Sequence, residues 1–211
     1  SFGAGGTNAH CIVQEYQGVA NQGDLTQPDH YILTLSAKSG KALQDLKTQF
    51  KHWFENENPS FVNACYTSNC GRQHHKYRSS FIGASFEDIR EQLSKSSSKQ
   101  AISQTPKIAF LFTGQGSQYV EMGKDLYKTN AFYRKQLDYC LEILKNLLPE
   151  SPRDVLFDSD VGGELINNTR YSQPLLFALE YSLAKLWLSW GIKPKALMGH
   201  SLGEYVAACI A

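Results

Sequence analysis

KALMGHSLGEYVAACIA, residues 195–211, decides the fold class of the second half of the chain. Lys195 to Met198 reads as a short strand, and the residues after Gly203 as a helix. Between them, GHSLG at 199–203 matches the pattern G-x-S-x-G. A strand that turns abruptly into a helix forces strained backbone on the middle residue, so glycines must flank it. Ser201 then projects its hydroxyl at the strand's C-terminal end, where the helix N-terminus favours negative charge. The backbone N–H of Leu202 would point at a developing oxyanion. An ordinary glycine-rich β–α turn is the plainer reading of the same five residues.

Working outward, Ile108 to Phe112 is a continuous apolar run of strand length, suited to a central parallel strand buried on both faces. It ends in GQGSQ at 114–118. That turn either serves only chain reversal or exposes the Gln115 N–H to complete an oxyanion hole. His200 adjoins Ser201, but adjacent residues on a turn diverge. It reads as a substrate contact or a packed histidine rather than the proton acceptor. Gln173, before Pro174, is either a helix N-terminus or a pocket residue. Ala131 to Leu148 carries a helical period and closes at Pro149. Gln173 to Trp190 forms the strongest helical pattern, with Leu176, Leu179, Leu183, Leu186 and Trp190 on one side and Gly191 ending it.

The first half alternates differently. SFGAGGTNAHCIVQEY opens the chain with a glycine-dense loop, then Cys11 to Val13 as a short buried strand. Gln17 to Asp29 is a linker by composition. Tyr31 to Ser36 reads as a strand, and a helix from Ser39 or Gly40 carries Leu43, Leu46, Phe50 and Phe54 at helical spacing. Ser60 caps a second short helix, Ser79 to Ala84 is a strand, Phe86 to Leu93 a helix, and KSSSK a solvated connector. The fold class expected is α/β: a small α/β module plus an incomplete α/β-hydrolase-like core with a parallel sheet.

Composition excludes several functions. A formal net charge of +1 gives no electrostatic case for nucleic acid or an anionic membrane. The apolar run near Pro174 to Leu188 is broken by Glu180, Ser182 and Lys185, so no segment is expected to span a bilayer. Five scattered cysteines argue for reduced thiols in the cytoplasm. The spacing of Cys65, Cys70, His74 and His75 fits no common zinc pattern, so no metal site is expected. No signal segment opens the chain and Ser1 is not an initiator methionine; both ends read as cut.

Three blocks carry a more specific likeness. FLFTGQGSQYVEMGKDLY, NNTRYSQPLLFALEYSLAKLW and ALMGHSLGEYVAACIA resemble, in order and separation, the blocks that open the acyltransferase domains of polyketide and fatty-acid synthases. SFGAGGTNAHCIVQE resembles the closing motif of ketosynthase domains, and YTSNCGRQHHKYRSSFIGAS the signature of the linker between the two. The resemblance therefore implies a modular type I polyketide synthase segment: ketosynthase C-terminus at 1–16, linker module at 17–105, acyltransferase at 106–211.

By that resemblance Ser201 is the nucleophile that takes malonyl from coenzyme A. Gln115 and Leu202 supply the oxyanion-hole N–H groups, and Gln173 and His200 line the acyl pocket. Ala4 matches a loop position beside the ketosynthase active site, whereas His10 matches neither catalytic histidine of that domain. An apolar Leu202 and the YSQPLLF block resemble the malonyl type. The implied partners are malonyl-CoA, an acyl carrier protein bearing phosphopantetheine, and the rest of the synthase in cis, within a homodimeric parent; no cofactor binds directly. The family's histidine base lies roughly a hundred residues past the nucleophile. It is absent here, so this stretch alone is not expected to sustain transfer. A serine hydrolase of thioesterase type, a type I fatty acid synthase segment and a non-catalytic interdomain scaffold are the alternatives. A carboxylate-binding arginine beyond residue 211 would separate hydrolase from transferase.

Overall fold

The structure is a computed structural model that describes residues 5–6, 9–15, 28–95, 99–100 and 106–211. Ala4 and nearly all of the linker from Gln17 to Asp29 fall outside those residues. The expected strand at Cys11 to Val13 does not form: the segment has no regular structure, and Ile12 is 91% and Val13 88% exposed. Three apolar residues make a strand only against a partner, and no described strand adjoins them.

The first unit begins with β1 (Tyr31–Ala37), followed by α1 (Gly40–Glu57), α2 (Phe61–Cys70), β2 (Tyr77–Gly83), α3 (Phe86–Lys95) and β3 (Lys99–Gln100). β1 and β2 pair antiparallel with Leu33 opposite Phe81, and β3 pairs with the other edge of β2. β3 corrects the reading of KSSSK as connector alone, since its final Lys99 sits opposite Arg78. Alternate residues Leu33, Leu35, Ala37 and Phe81 face inward and meet Leu43 of α1 and Ile89 and Leu93 of α3. The caps expected from sequence set the helix ends. Ser39 accepts from the Ala42 N–H at 3.1 Å, and Asn58 takes the left-handed conformation at φ 44° before Pro59.

β1 is an edge strand, and α2 covers its outer side. The Asn69 amide donates to the Ile32 carbonyl at 2.7 Å, and the Ser68 hydroxyl donates to the Thr34 carbonyl. These bonds satisfy backbone groups that would otherwise invite another strand. Cys65 is buried beneath them, and burial pushes its thiol up to about 11.

The second unit runs β4 (Ala109–Phe112), α4 (Lys124–Thr129), α5 (Ala131–Lys145), α6 (Pro152–Phe157), α7 (Ser159–Leu165), α8 (Thr169–Ser189), β5 (Ala196–Gly199) and α9 (Leu202–Ile210). β4 and β5 pair parallel, Phe110 opposite Leu197 and Phe112 opposite Gly199. α4, α6 and α7 had not been expected, though α6 and α7 carry capping signals: Ser151 precedes Pro152 at the first position of α6, and Asp158 caps α7. α8 starts at Thr169, capped by Asn168, so Pro174 lies inside it rather than at its first turn. Its sides are buried almost all round, but Trp190 at its end is 57% exposed, contrary to the stripe read from sequence.

The main core gathers Tyr133, Leu137 and Leu141 of α5 with Val155, Leu156, Ile166 and Leu175. A smaller cluster of Phe112, Ala184 and Val206 seats α8 and α9 on the strand pair. The strands are covered on that side only: Leu111 is 72% and Met198 67% exposed. The expectation of a β4 buried on both faces therefore fails. Among the described residues no helix is long and apolar enough to cross a membrane.

Phe81→Ala empties the centre of the first unit and is expected to cost about 3–5 kcal/mol. Ile82→Thr, on the outer face of the same strand, should change stability by less than about 0.5 kcal/mol. Urea unfolding followed by Trp53 fluorescence separates the two.

Candidate active site

Gly199 ends β5, and the chain turns at His200 and Ser201 into α9. Ser201 is held at φ 53°, ψ −113°, outside the regions that L-residues ordinarily occupy. Such backbone costs about 1–3 kcal/mol and persists only where its surroundings over-determine it. Here they do. A Cβ on Gly199 would run into the backbone of Gly203 and Glu204, and one on Gly203 would sit 2.5 Å from the Phe112 carbonyl oxygen. The Gly203 N–H donates to the His200 carbonyl at 3.0 Å, closing the turn.

The turn after β4 meets this one directly. The His200 N–H donates to the Phe112 carbonyl at 3.1 Å. A Cβ on Gly114 would lie 2.7 Å from His200 Nδ1, so the imidazole packs against glycine backbone. No described group hydrogen-bonds the His200 ring or the exposed Ser201 hydroxyl.

Gln115 follows Gly114. Its side-chain carbonyl accepts from Gln173 Nε2 at 3.0 Å, and its own amide donates to Thr169 Oγ1 at 3.0 Å. Gln173 is therefore not a helix start, since α8 begins at Thr169; it ties α8 to the 114–118 turn. The N–H groups of Gln115 and Leu202 donate to no described group. Leu202 is the first residue of α9, where backbone donors lack helical partners and the dipole favours anions. Serine hydroxyl, two unspent N–H donors and a helix N-terminus therefore share the carboxyl end of one parallel strand pair. That arrangement suits attack on a carbonyl carbon and accommodation of the oxyanion formed.

Leu202 and Gln173 also border a cleft of about 450 Å³ with Cys140, Pro174, Phe177 and Tyr205. Burial raises the Cys140 thiol above its ordinary value, so it stays protonated there. A larger cleft of about 710 Å³ lies along β4 and α8, bordered by Phe110, Leu176 and Leu183. The four metal-donor candidates of the first unit diverge: Cys65 is buried, Cys70 is exposed, and His74 Nε2 lies 2.9 Å from the Asn69 carbonyl. Among the described residues no three potential donors converge on a point.

Sequence reasoning did not pick out Thr113, Thr169 or Glu180 as parts of this region. Glu180 carried a signal, as the single acid within the run PLLFALEYSLAKLW. It reads there as an interruption of apolar sequence, because nothing local shows what it faces.

Comparison with known proteins places both units. Residues 109–211 match the family described as acyl transferase domain, and residues 31–93 the family described as CurL-like, PKS C-terminal. Orsellinic acid synthase ArmB of Armillaria ostoyae is 35% identical over 216 residues, and non-reducing polyketide synthase PKS16 of Cladonia grayi 33% over 217. Each alignment covers 100% of this chain and 10% of the relative, so the chain spans about a tenth of those proteins. The solved acyl transferase domain of ZmaA superposes with a TM-score of 0.81 at 36% identity, covering 88% of this chain and 45% of that one. The SpnD acyl transferase domain, solved with 2-(pent-4-yn-1-yl)malonyl, gives 0.74 at 31%, covering 87% and 44%.

Gly203→Ala forces a methyl group against the Phe112 carbonyl. It is expected to cost about 1–3 kcal/mol and to part the two turns. Thermal denaturation should show a lowered midpoint, and a serine-directed fluorophosphonate should label Ser201 more slowly than in the parent protein.

Proposed function

The chain belongs to the polyketide synthases, with an acyl transferase domain over residues 109–211, and we propose that Ser201 is the residue that accepts a malonyl group from malonyl-CoA. The observation that carries this reading is the strained Ser201 beside two unspent backbone donors, Gln115 N–H and Leu202 N–H.

In the first half-reaction Ser201 Oγ attacks the thioester carbonyl while its proton passes to a base. The oxyanion takes hydrogen bonds from Gln115 and Leu202. The C–S bond then breaks, and coenzyme A leaves as the protonated thiol, leaving a malonyl ester on Ser201. In the second half, a phosphopantetheine thiol of an acyl carrier protein attacks that ester. The C–O bond breaks and Ser201 regains its proton. A serine needs such a base. His200 does not fill the role, since its ring packs on Gly114. The family resemblance assigns it to a later histidine.

Malonyl is favoured by the apolar Leu202 after the nucleophile and by the YSQPLLF block. The related SpnD domain was solved with a malonyl substituted at carbon 2, which supports a malonyl-derived acyl group as the class and leaves its substituent to the test below. The same reading takes residues 1–16 as a ketosynthase end, 17–105 as linker and 106–211 as acyltransferase. It also makes the other domains of the synthase partners in cis, in a cytoplasmic homodimer.

Acyl-CoA thioesters labelled in the acyl group, offered to the intact synthase, test the proposal. Malonyl should appear on Ser201 and vanish in Ser201→Ala. Methylmalonyl should load more slowly by about 10–200-fold, the discrimination one extra methyl group allows. Preferential loading of acetyl or a longer neutral acyl group would overturn the malonyl assignment in favour of starter-unit transfer.

A further inference from the structure

Glu180 lies in the middle of α8, the only acid in the run from Pro174 to Trp187, and only 9% of it is exposed. Its Oε1 accepts two hydrogen bonds, from the Thr113 N–H at 2.7 Å and the Thr113 hydroxyl at 2.5 Å. Thr113 Oγ1 in turn accepts from Ser117 Oγ at 2.7 Å, and the same Ser117 hydroxyl lies 2.9 Å from the Gly114 carbonyl oxygen. Both ends of the 113–117 turn are therefore held by one carboxylate oxygen, directly or through one hydroxyl. Among the described residues no ion pair involves Glu180, and its Oε2 is buried without a hydrogen bond.

A buried carboxylate with no cation beside it is an expensive way to hold a helix in place. An apolar side chain would pack α8 against β4 more cheaply. What the carboxylate supplies instead is direction: charge-assisted bonds are short and strong, and both point at the residue where β4 becomes the turn. Gln173 lies two helical turns earlier on α8 and grips the Gln115 side chain. The peptide between Gly114 and Gln115, whose N–H is one of the two unspent donors, is thus anchored on both sides by a single rigid helix. The other donor, on Leu202, is set against the same turn through the contact of Gly114 with His200.

We propose that Glu180 is a positioning residue for the acyl transfer assigned to Ser201, holding the 113–117 turn so that the Gln115 N–H stays aimed at the oxyanion. The inference rests on that functional reading. Glu180 touches neither acyl group nor thiol; it acts through Thr113.

The test is single-turnover acylation of Ser201 by labelled malonyl-CoA in the intact synthase, with Glu180→Ala, Glu180→Gln, Thr113→Val and Ser201→Ala. Misaiming one oxyanion donor slows the chemical step by about 10–100-fold, so Glu180→Ala should lose that much in the saturated acylation rate. Half-saturation by malonyl-CoA should move by less than about threefold, since ground-state binding is untouched. Glu180→Gln keeps an acceptor oxygen at Oε1 and should recover to within about fivefold of the parent rate. Glu180→Ala combined with Thr113→Val should be no slower than Glu180→Ala alone, because the two share one link.

An unchanged acylation rate in Glu180→Ala overturns the inference. So does equal loss in the Ala and Gln variants, or a loss that falls wholly on half-saturation. If Ser201→Ala still becomes acylated, the functional reading itself has failed; if it does not and Glu180→Ala acylates at the parent rate, only the role of Glu180 has.

Discussion

Two backbone turns touch at the carboxyl ends of β4 and β5, and the candidate site depends on that contact. Gly114 lies under the His200 ring, and Gly203 lies under the Phe112 carbonyl, at separations where a methyl group would overlap existing atoms. Because glycine lets the turns approach this closely, the His200 N–H reaches the Phe112 carbonyl and the two turns end side by side. The strain at Ser201 follows from the same contact. The strand must end against its neighbour, the helix must begin at once, and the residue between absorbs the mismatch in φ and ψ.

Around that contact the structure spends polar groups where packing alone would suffice. α8 is the best buried helix among those described, yet Glu180, Ser172 and Ser182 sit inside it. Ser182 donates to the Ala178 carbonyl within its own helix and also bonds Cys140 of α5, so it serves helix packing. Glu180 and Gln173 instead reach outward to the 113–117 turn. One helix therefore carries two kinds of information. Its apolar surface seats α5 and the strand pair, and its few outward polar groups fix where a loop lies.

The first unit meets a different constraint. With three strands among the described residues, its sheet has edges that must be closed, and α2 closes one by hydrogen-bonding carbonyls of β1. The side chains that do so, Ser68 and Asn69, look in sequence like ordinary polar positions of a short helix. Aromatic packing behind them, with Phe54 stacked on Phe86 at 4.5 Å, joins α1 to the start of α3. These contacts complete the packing of the first unit.

Most elements were legible in the sequence, because each depends on a repeating pattern or on a local cap. Leu43 and Phe54 mark α1, the alternation from Tyr31 marks β1, and GHSLG between strand and helix patterns marks the turn at Ser201. The same five residues named the nucleophile candidate, since the glycines around a strained serine are a local requirement. The short helices α4, α6 and α7 and the early start of α8 have no long apolar period to announce them; a side-chain cap marks α6, α7 and α8, and α4 lacks even that. What only the tertiary structure decided is which distant residues hold the turn beside that serine. Thr113 and Glu180 are 67 positions apart, and Gln115 and Gln173 are 58 apart. Their hydrogen bonds exist because α8 packs across the end of β4. Local periodicity specifies that a helix forms and which sides it buries. It carries no record of which distant loop an acid on that helix will hold, because that pairing is a property of the packed chain.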